Sequence, residues 1–338
     1  MAWYHIPGNE QDVVVSSRVR FARNLSGIPF ASRMDATSAN QVISVVGDIL
    51  SHGGFTATDF ADITPTAAYA MVEQHYASPA FVKVSLPHVL YVNQPCNLSV
   101  MLCEEDHIRL QCIQSGLALR VAYEGASKIE QMLDERLTFA FDEKLGYLTH
   151  CPTNLGSGMR ASAMMFLPML GETGRMDAMI AGLEALGVSV RGAFGEGTAA
   201  SGHLYQLSNR ITLGADEEET IEGLERVVSQ VMKSERDLRG AVSGKAYDRL
   251  CDQIMRSLGA LRYARMLSAG EMLSLLSYVR LGVAMGILDD VKIPTLTTLL
   301  IEGMPAMLAQ SCQTPPESDH ARDLLRASMV REKLKVGA

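Results

Sequence analysis

The chain has 338 residues, of which 47% are hydrophobic, with a formal net charge of −8 and a sequence pI of about 5.5. This length and composition allow a substantial core, and the acidic balance argues against direct binding of nucleic acid or of a membrane surface. The N-terminus lacks a signal-peptide pattern, and no apolar run approaches the roughly 20 residues of a membrane span. The six cysteines form no C-x-x-C pair, so we expect a cytoplasmic protein with reduced thiols.

The first two thirds of the chain alternate between strand-like and helix-like patterns. In chain order we predict a strand that runs into a loop or short helix at 13–25, then helices at 36–52 and 65–77, and hairpin strands within 80–115. An amphipathic helix follows at 125–141, a strand entering a loop at 146–160, and a helix at 176–186. The last predicted strands are at 188–195 and 203–214, around a Gly-containing loop at 195–202. This order predicts an α+β domain with antiparallel strands.

Residues 216–338 carry four or five helical stretches and little strand signal. We place a soft boundary near residue 235, which divides an α+β domain (1–235) from an all-α domain (236–338). The sequence has no P-loop motif and none of the protein-kinase motifs V-A-I-K, H-R-D and D-F-G. Binding of a nucleotide would therefore need a different phosphate-binding motif.

Two arginines alternate within Ser16-Ser17-Arg18-Val19-Arg20. On a strand, Arg18 and Arg20 point to the same face, where two guanidinium groups repel each other unless an anion lies between them. The alternative is a solvated polar face on an edge strand. The segment by itself leaves both interpretations open.

Three consecutive acids, Glu104, Glu105 and Asp106, follow an apolar run and precede strand-like residues. A hairpin turn would present them together, and crowding of like charges can raise the pKa of one carboxylate until it serves as a base. An ordinary solvated turn is the alternative. His107, directly after the acids, is more typical of a structural hydrogen-bonding residue than of a ligand.

Two further segments combine glycines with polar residues. In Cys151–Ser162, glycines and hydroxyls allow close approach of the backbone to a ligand, although a lone cysteine before proline is normally inert. Arg191–Gly197 has glycines around an arginine and a glutamate, which is typical of a mobile functional loop or of a plain surface loop. Tyr205–Asn209 indicates only a strand.

Taken in order over residues 13–215, these segments resemble the catalytic domain of the ATP:guanido phosphotransferases, the phosphagen kinase family. The landmarks are an S-x-R-V-R strand, an E-E-D-H-x-R turn, a C-P-T-N-L-G segment that ends in M-R-A-S, and an R-G-x-x-G-E loop. The resemblance implies a phosphagen-kinase-like antiparallel sheet flanked by helices, and transfer of a phosphoryl group from ATP to a guanidinium. One departure is Cys103, where the family usually has asparagine before the acids.

The resemblance also implies roles for individual residues. Glu105 and Glu196 would hold the acceptor guanidinium, with Cys151 lying against it. Five arginines would hold the phosphates, and His88 would contact the nucleotide. The full set implied for ATP is Ser16, Ser17, Arg18, Val19, Arg20, His88, Arg109, Arg160, Ala161, Ser162, Ala163, Met164, Arg191, Gly192, Ala193, Phe194 and Gly195. Mg²⁺ would bridge the phosphates without a ligand from protein side chains.

Metabolic members of the family carry an additional helical domain before the S-x-R-V-R strand. That strand begins early in this sequence, at Val13. We therefore expect no such domain and an open acceptor pocket, which suits an arginine displayed on another protein.

The C-terminal segment Arg322-Asp323-Leu324-Leu325-Arg326-Ala327 matches the R-D-x-x-R-A element of bacterial protein-arginine kinases. In that group the element binds phosphoarginine, with arginine on the phosphate and aspartate on the guanidinium. Arg322 and Arg326 share one face of a helix, so an ordinary charged helix face is the alternative. The resemblance further implies a heat-shock setting, in which phosphoarginine marks proteins for a Clp-type protease and a zinc-binding activator protein stimulates the kinase. The activator's docking surface and the oligomeric state, including a homo-oligomer, stay open.

Two other functions compete with a protein-arginine kinase. A free-arginine kinase would use the same chemistry on a metabolite, but the R-D-x-x-R-A element and the expected lack of the extra domain argue against it. A phosphoarginine-binding adaptor without catalysis would need neither Glu105 nor Glu196. The presence of both carboxylates favours an enzyme.

Overall fold

The computed structural model describes residues 1–93, 97–192, 201–312 and 314–335. Its strands are β1 (Val14–Arg23), β2 (Phe55–Asp59), β3 (Val89–Asn93), β4 (Leu98–Leu102), β5 (Ile108–Ser115), β6 (Phe141–Asp142), β7 (Gly146–Tyr147), β8 (Met159–Phe166), β9 (Val188–Gly192) and β10 (Leu204–Asn209). Eight of them form one antiparallel sheet in the order β2-β3-β4-β5-β1-β8-β10-β9, and β6 pairs with β7. The two central strands, β1 and β5, thus come from distant parts of the first domain.

The helices are α1 (Ala36–His52), α2 (Pro65–Glu73), α3 (Leu119–Asp134), α4 (Pro168–Glu172), α5 (Met176–Ala185), α6 (Glu217–Ala241), α7 (Gly244–Tyr263), α8 (Ala269–Ala284), α9 (Ile293–Glu302), α10 (Pro305–Gln310) and α11 (Asp319–Lys333). One face of the sheet packs against α1, α3 and α6 through buried residues such as Val19, Phe21 and Leu110. The opposite face packs Ile113 and Met164 against the C-terminal helices. The predicted fold, an antiparallel sheet flanked by helices and followed by an all-α region, is confirmed.

The basic half of the first strand does not leave the sheet, contrary to the prediction of a loop or short helix. β1 continues to Arg23 and is paired on both sides, with β5 and with β8. Val19 and Phe21 are buried on one face, so alternation keeps the strand amphipathic although Arg18 and Arg20 lie between them. The alternative of an exposed edge strand is therefore also wrong.

Other element boundaries differ from the prediction for local reasons. α3 begins at Leu119 because the amide of Ala118 is held by the Ser17 hydroxyl (3.0 Å). It ends at Asp134, since the following residues pair with the chain after β1: the Ala140 amide donates to the Asn24 carbonyl at 2.7 Å. α6 passes through residue 235, where we placed the domain boundary, and ends at Ala241. Among the described helices, none is both long and apolar enough to cross a membrane.

Buried charges connect α6 and α8 to neighbouring segments of the chain. Glu235 on α6 is fully buried; its carboxylate accepts the Leu170 amide at 3.0 Å and the Arg239 Nε at 2.9 Å. Arg280 on α8 donates to the Gln11 carbonyl at 2.6 Å. Polar contacts largely shielded from water thus join α6 to α4 and α8 to the start of the chain.

Arg23 is a structural arginine, although it lies on the same strand as Arg18 and Arg20. Its side chain is 2% exposed, pairs with Glu130 at 2.9 Å and stacks over the Tyr147 ring at 3.5 Å. Removing one partner of a buried ion pair leaves an uncompensated charge. We expect Arg23→Met to lower the free energy of unfolding by about 3–5 kcal/mol in urea denaturation. An unchanged denaturation midpoint would contradict this assignment.

Candidate active site

Five arginines from four strands lie on one face of the sheet: Arg18 and Arg20 on β1, Arg109 on β5, Arg160 on β8 and Arg191 on β9. The register of the ladders determines this arrangement, because residues opposite each other on neighbouring strands share a face. Arg20 stands directly opposite Arg160. The sheet therefore brings together the arginines that the sequence predicted as phosphate ligands.

Burial and mutual repulsion disfavour the charged form of several of these arginines. Burial, then Arg109 and Arg160, lowers the pKa of Arg18 to about 10. Burial, then its arginine neighbours, lowers the pKa of Arg20 well below its ordinary value, and the pKa of Arg160 is lowered by burial and by Arg191. Such a cluster of like charges is stabilised by a polyanion, and guanidinium forks match phosphate oxygens.

The hydrogen bonding of the cluster also indicates a ligand site. The buried Nε atoms of Arg20 and Arg160 have no hydrogen-bond partner in the part of the chain that the structure describes. Arg18 donates to the Gln206 side chain at 2.9 Å, and Arg160 donates to the Ser189 hydroxyl at 3.3 Å. Because buried donors are normally satisfied, the two Nε atoms are suited to an acceptor that arrives from outside.

Two cavities flank the arginines. The interdomain cavity, about 570 Å³, has Arg18, Arg20 and Arg109 on one side and apolar side chains such as Ile301 and Met304 on the other. The loop cavity, about 400 Å³, is lined by Arg160, Arg191 and residues from 152–154 and 209–213. Since Arg20 and Arg160 are cross-strand partners, the arginines form one strip that begins in one cavity and ends in the other.

Only alternate residues of the predicted nucleotide segments share this face. Ser16, Ser162 and Met164 lie on it, whereas Val19, Ala161 and Ala163 are buried in the core beneath α3 and α6. Ser17 also points away: its hydroxyl donates to the Gly116 carbonyl at 2.8 Å. Gly192 belongs to the opposite face of β9 from Arg191. The two-residue period of a strand directs these side chains away from the arginine face, and a contact of their backbone with the nucleotide stays a prediction.

The acidic turn between β4 and β5 presents one carboxylate rather than three, which corrects the expectation that they are presented together. Glu104 is buried and pairs with Arg109; although burial raises its pKa, Arg109 and the Ser78 hydroxyl bring it below the ordinary value. Asp106 is fully buried and accepts from the His150 amide at 2.7 Å. Glu105, 35% exposed, remains accessible with its Oε2 3.3 Å from Arg109 Nη1.

His107 has the structural role that its sequence context suggested. Its Nδ1 accepts the Leu25 amide at 3.0 Å, and its Nε2 lies 2.9 Å from the Pro29 carbonyl, which fixes a neutral ring with the proton on Nε2. Burial lowers the pKa of His107, consistent with that form. His107 and the buried Asp106 therefore hold the turn that carries Glu105.

The loop before β8 positions Cys151 near the arginine strip. The Cys151 Sγ lies 3.1 Å from the Thr153 hydroxyl, and Cys151 is among the groups near enough to Arg160 to influence the pKa of that arginine. The glycines of this loop serve packing against the protein itself: a Cβ at Gly156, where φ is +99°, would lie 2.3 Å from the Thr212 carbonyl oxygen. At Gly156 the close approach is therefore to the protein's own backbone, and approach of a ligand to this loop stays a prediction.

Several predicted residues fall beyond the described ranges. Glu196, with Ala193, Phe194 and Gly195, lies in the segment between 192 and 201, so its proposed contact with the acceptor stays a prediction. Arg191, the last arginine before this segment, belongs to the loop cavity.

The structure places His75, which the sequence did not single out, beside the arginines, and the nucleotide contact of His88 stays a prediction. His88 packs its ring against Phe81 at 4.8 Å and is not among the residues that line either cavity. His75, at the end of α2, lines the interdomain cavity, and burial together with Arg18 lowers its pKa to about 3. A neutral imidazole is therefore available beside the arginines. No motif around His75 signals this position.

Two glutamines complete the polar wall, and sequence reasoning missed both. Gln111 lies two residues after Arg109 on β5, and Gln206 lies opposite Arg191 on β10. The alternation from Arg109 could have identified Gln111, because residues i and i+2 of a strand share a face. Gln206 carries no comparable signal in the sequence.

The R-D-x-x-R-A element lies on α11, and its two arginines differ. Arg326 is 2% exposed and donates to the carbonyls of Gly303 (2.8 Å) and Leu267 (2.7 Å) and to Asp323 (2.5 Å). Arg322 is partly exposed and pairs with Asp319. A phosphate at Arg326 would compete with these backbone carbonyls, and phosphoarginine binding by this element stays a prediction. Arg326 is therefore neither a solvent-exposed charge on a helix surface nor a guanidinium whose donors are all open to a ligand.

Arg20 gives a stability test that separates a ligand-binding arginine from a structural one. Its charge is disfavoured in the folded state, so removing it should relieve repulsion, in contrast to Arg23. We expect Arg20→Met to raise the free energy of unfolding by about 1 kcal/mol or more without nucleotide, and to remove the added stability that ATP gives the wild type. Destabilisation without nucleotide, as in Arg23→Met, would contradict this.

Comparison with known proteins identifies the family of the chain. Residues 39–238, more than half of it, match the ATP:guanido phosphotransferase C-terminal catalytic domain, and residues 247–338 match the Protein-arginine kinase McsB C-terminal domain. The protein-arginine kinase of Clostridium novyi (strain NT) is 39% identical over 98% of both chains. That of Halothermothrix orenii is 38% identical over 99% of this chain and 96% of its own.

Solved structures agree in fold. Lombricine kinase is 24% identical with a TM-score of 0.61, over 69% of each chain. The duplicated taurocyamine kinase from Schistosoma mansoni with bound transition state analog components is 20% identical with a TM-score of 0.62, over 82% of this chain and 47% of that one. From the family matches and the full-length relatives, the chain belongs to the protein-arginine kinases of the ATP:guanido phosphotransferase family.

Proposed function

We propose that this enzyme transfers the γ-phosphoryl group of ATP to arginine side chains of proteins, with the polyphosphate lying along the arginine strip. The observation that carries the proposal is the convergence of five arginines on one sheet face. Two of them have a buried Nε donor without a hydrogen-bond acceptor among the described residues. ATP carries about four negative charges, and phosphoryl transfer depends mainly on positioning and charge stabilisation. A strip of fixed guanidinium forks supplies both.

The different linings of the two cavities support one orientation of the nucleotide. The interdomain cavity combines three arginines with an apolar wall and therefore suits the nucleoside and the first phosphates. The γ-phosphate would then lie near Arg160, with Cys151 on the neighbouring loop. The acceptor guanidinium would approach from that end.

Glu105 would orient the acceptor and receive its proton. A protonated guanidinium, with a pKa of about 12.5 or higher, is a poor nucleophile, so a proton must leave the attacking nitrogen. The new nitrogen–phosphorus bond forms as the bond from the γ-phosphorus to the bridging oxygen breaks, and ADP leaves. Of the three acids in the turn, Glu105 is the one whose carboxylate is open to a substrate.

Mg²⁺ is proposed as the companion of ATP. Within the described ranges, no group of three or more His, Cys, Asp or Glu side chains is arranged to hold a metal. Mg²⁺ often binds mainly through substrate phosphates and water, so the proposed ion would be held by the polyphosphate rather than by protein side chains. When bound, the ion would offset negative charge on the phosphates.

The wider role is also a proposal and rests on the resemblance to bacterial protein-arginine kinases. We propose that phosphoarginine marks proteins for a Clp-type protease in a heat-shock response, in the cytoplasm, and that a zinc-binding activator protein stimulates the enzyme. Substrates would be proteins with exposed arginines. The full-length similarity to protein-arginine kinases supports this over a free-arginine kinase.

One assay with two alternative acceptors separates the three candidate functions. The enzyme is incubated with ATP, Mg²⁺ and either free arginine or an unfolded arginine-rich protein at equal guanidinium concentration, and acid-labile phosphate is measured. We expect phosphate on the protein and little on free arginine. Preferential labelling of free arginine would favour the metabolic kinase, and no labelling with retained phosphoarginine binding would favour the adaptor.

A further inference from the structure

We infer that the helical C-terminal domain supplies one wall of the nucleoside site, through Ile301 and Met304, and that Arg326 positions this wall. The inference rests on the proposed function, because it assumes that ATP lies in the interdomain cavity. It makes nucleotide affinity a property of both domains, with the phosphates held by the sheet and the base held partly by the helices.

The composition of the interdomain cavity supports this division. Arg18, Arg20 and Arg109 form its sheet side, whereas Ile301 and Met304 come from the end of α9 and the turn that follows it. Both apolar residues are almost fully buried, at 1% and 8% exposure, yet they line the cavity. An apolar surface opposite a row of phosphate ligands suits a flat heterocyclic base.

The segment that carries this wall is fixed by side chains on two sides. The Arg326 Nε donates to the Gly303 carbonyl, between the two wall residues, at 2.8 Å. The Glu73 carboxylate, which also lines the cavity, accepts the amides of Ala306 (3.0 Å) and Met307 (2.7 Å) at the start of α10. The turn from Ile301 to Met307 is therefore held between α11 and α2.

Arg326 is committed to this turn and to the adjacent backbone. Its Nη1 donates to the Leu267 carbonyl at 2.7 Å, so one guanidinium links the start of α8 to the turn after α9. Without that link, the Gly303 carbonyl would lose its buried donor, and the wall could shift relative to the arginines. We therefore assign Arg326 as a positioning residue for the nucleoside site.

Binding of two ligands by the full-length enzyme tests the inference. ATP uses the arginines and the wall, whereas inorganic tripolyphosphate uses the arginines alone. In calorimetry we expect the Ile301→Ala, Met304→Ala double variant to bind ATP about 10-fold more weakly and to bind tripolyphosphate within about 2-fold of wild type. Met304→Leu, which keeps the apolar volume, should bind ATP as the wild type does.

Leu300→Ala is the matched control. Leu300 precedes Ile301 on α9 and is also buried, but it faces a different cavity, beside Leu296. It should weaken the fold as a core truncation does while leaving ATP affinity unchanged. Equal loss of ATP affinity in Leu300→Ala and in the double variant would overturn the inference, because the effect would then be general loosening of the domain.

Arg326→Lys tests the positioning role. Lysine keeps the charge but cannot contact both carbonyls as the guanidinium does, so we expect a rise of about 5-fold or more in the KM for ATP with kcat largely retained. Unchanged KM, or a fall in kcat alone, would overturn the role of Arg326.

Failure of the inference and failure of the proposed function give different results. If wild type binds ATP and forms phosphoarginine but the double variant binds ATP normally, only the inference fails. If wild type binds neither ATP nor tripolyphosphate, the proposed function fails with it.

Discussion

Glu105→Gln is expected to reduce turnover by about 10²-fold or more while leaving ATP affinity largely unchanged. The substitution keeps the shape of the side chain but removes its charge and its ability to accept a proton. The structure favours Glu105 because its neighbours in the turn are occupied: Glu104 pairs with Arg109, and Asp106 is buried under the His150 amide. Steady-state kinetics with a protein acceptor, together with ATP calorimetry, would measure both effects.

Glu135→Gln provides the control for a loss of one surface carboxylate. Glu135 is exposed at the end of α3, far along the chain from the turn, and should leave turnover unchanged. Near-normal turnover in Glu105→Gln would remove this residue from the mechanism. Loss of ATP affinity in proportion to turnover would instead indicate that Glu105 supports Arg109.

Arg160→Lys is the second substitution with a large expected effect. Arg160 stands at the junction of the two cavities, opposite Arg20, where the γ-phosphate is proposed to lie. Lysine keeps the charge but loses the planar fork, so we expect kcat to fall by about 10²-fold with only a small change in ATP affinity. The measurement is kcat and KM for ATP at saturating acceptor.

The conservative change Arg256→Lys controls for arginine replacement as such. Arg256 is 74% exposed on α7 and pairs only with Asp252 one turn earlier among the described residues, so its replacement should have no effect on kcat. If Arg160→Lys also retains full turnover, the fork is unnecessary at this position. A nucleotide-bound structure with the phosphates away from Arg160 would lead to the same conclusion.

The local part of the site could be predicted from the sequence. The alternation of Arg18 and Arg20 on a strand places both on one face, and the turn between apolar runs correctly predicted a hairpin at the acids. The helices at 36–52 and 176–186 also form close to their predicted bounds, because their apolar residues recur at helical spacing.

The rest depends on contacts between distant segments. The Glu104 carboxylate already pairs with Arg109 and accepts a hydrogen bond from the Ser78 hydroxyl, which comes from the loop after α2. It is therefore not available to a substrate. His75 and Met304 reach the interdomain cavity only through packing of α2 against α10, and neither lies in a recognisable motif. Arg326 has the spacing of a surface helix pair, and only the tertiary structure shows that its guanidinium is buried.

The central claim is tested most directly by the chemical nature and location of the transferred phosphate. The enzyme is incubated with γ-labelled ATP, Mg²⁺ and a folded protein acceptor, in parallel with the same acceptor in which every arginine is replaced by lysine. The account predicts acid-labile label on the arginine-containing acceptor alone, and no label with Arg20→Met enzyme. Acid-stable label, or equal label on the lysine-substituted acceptor, would contradict it.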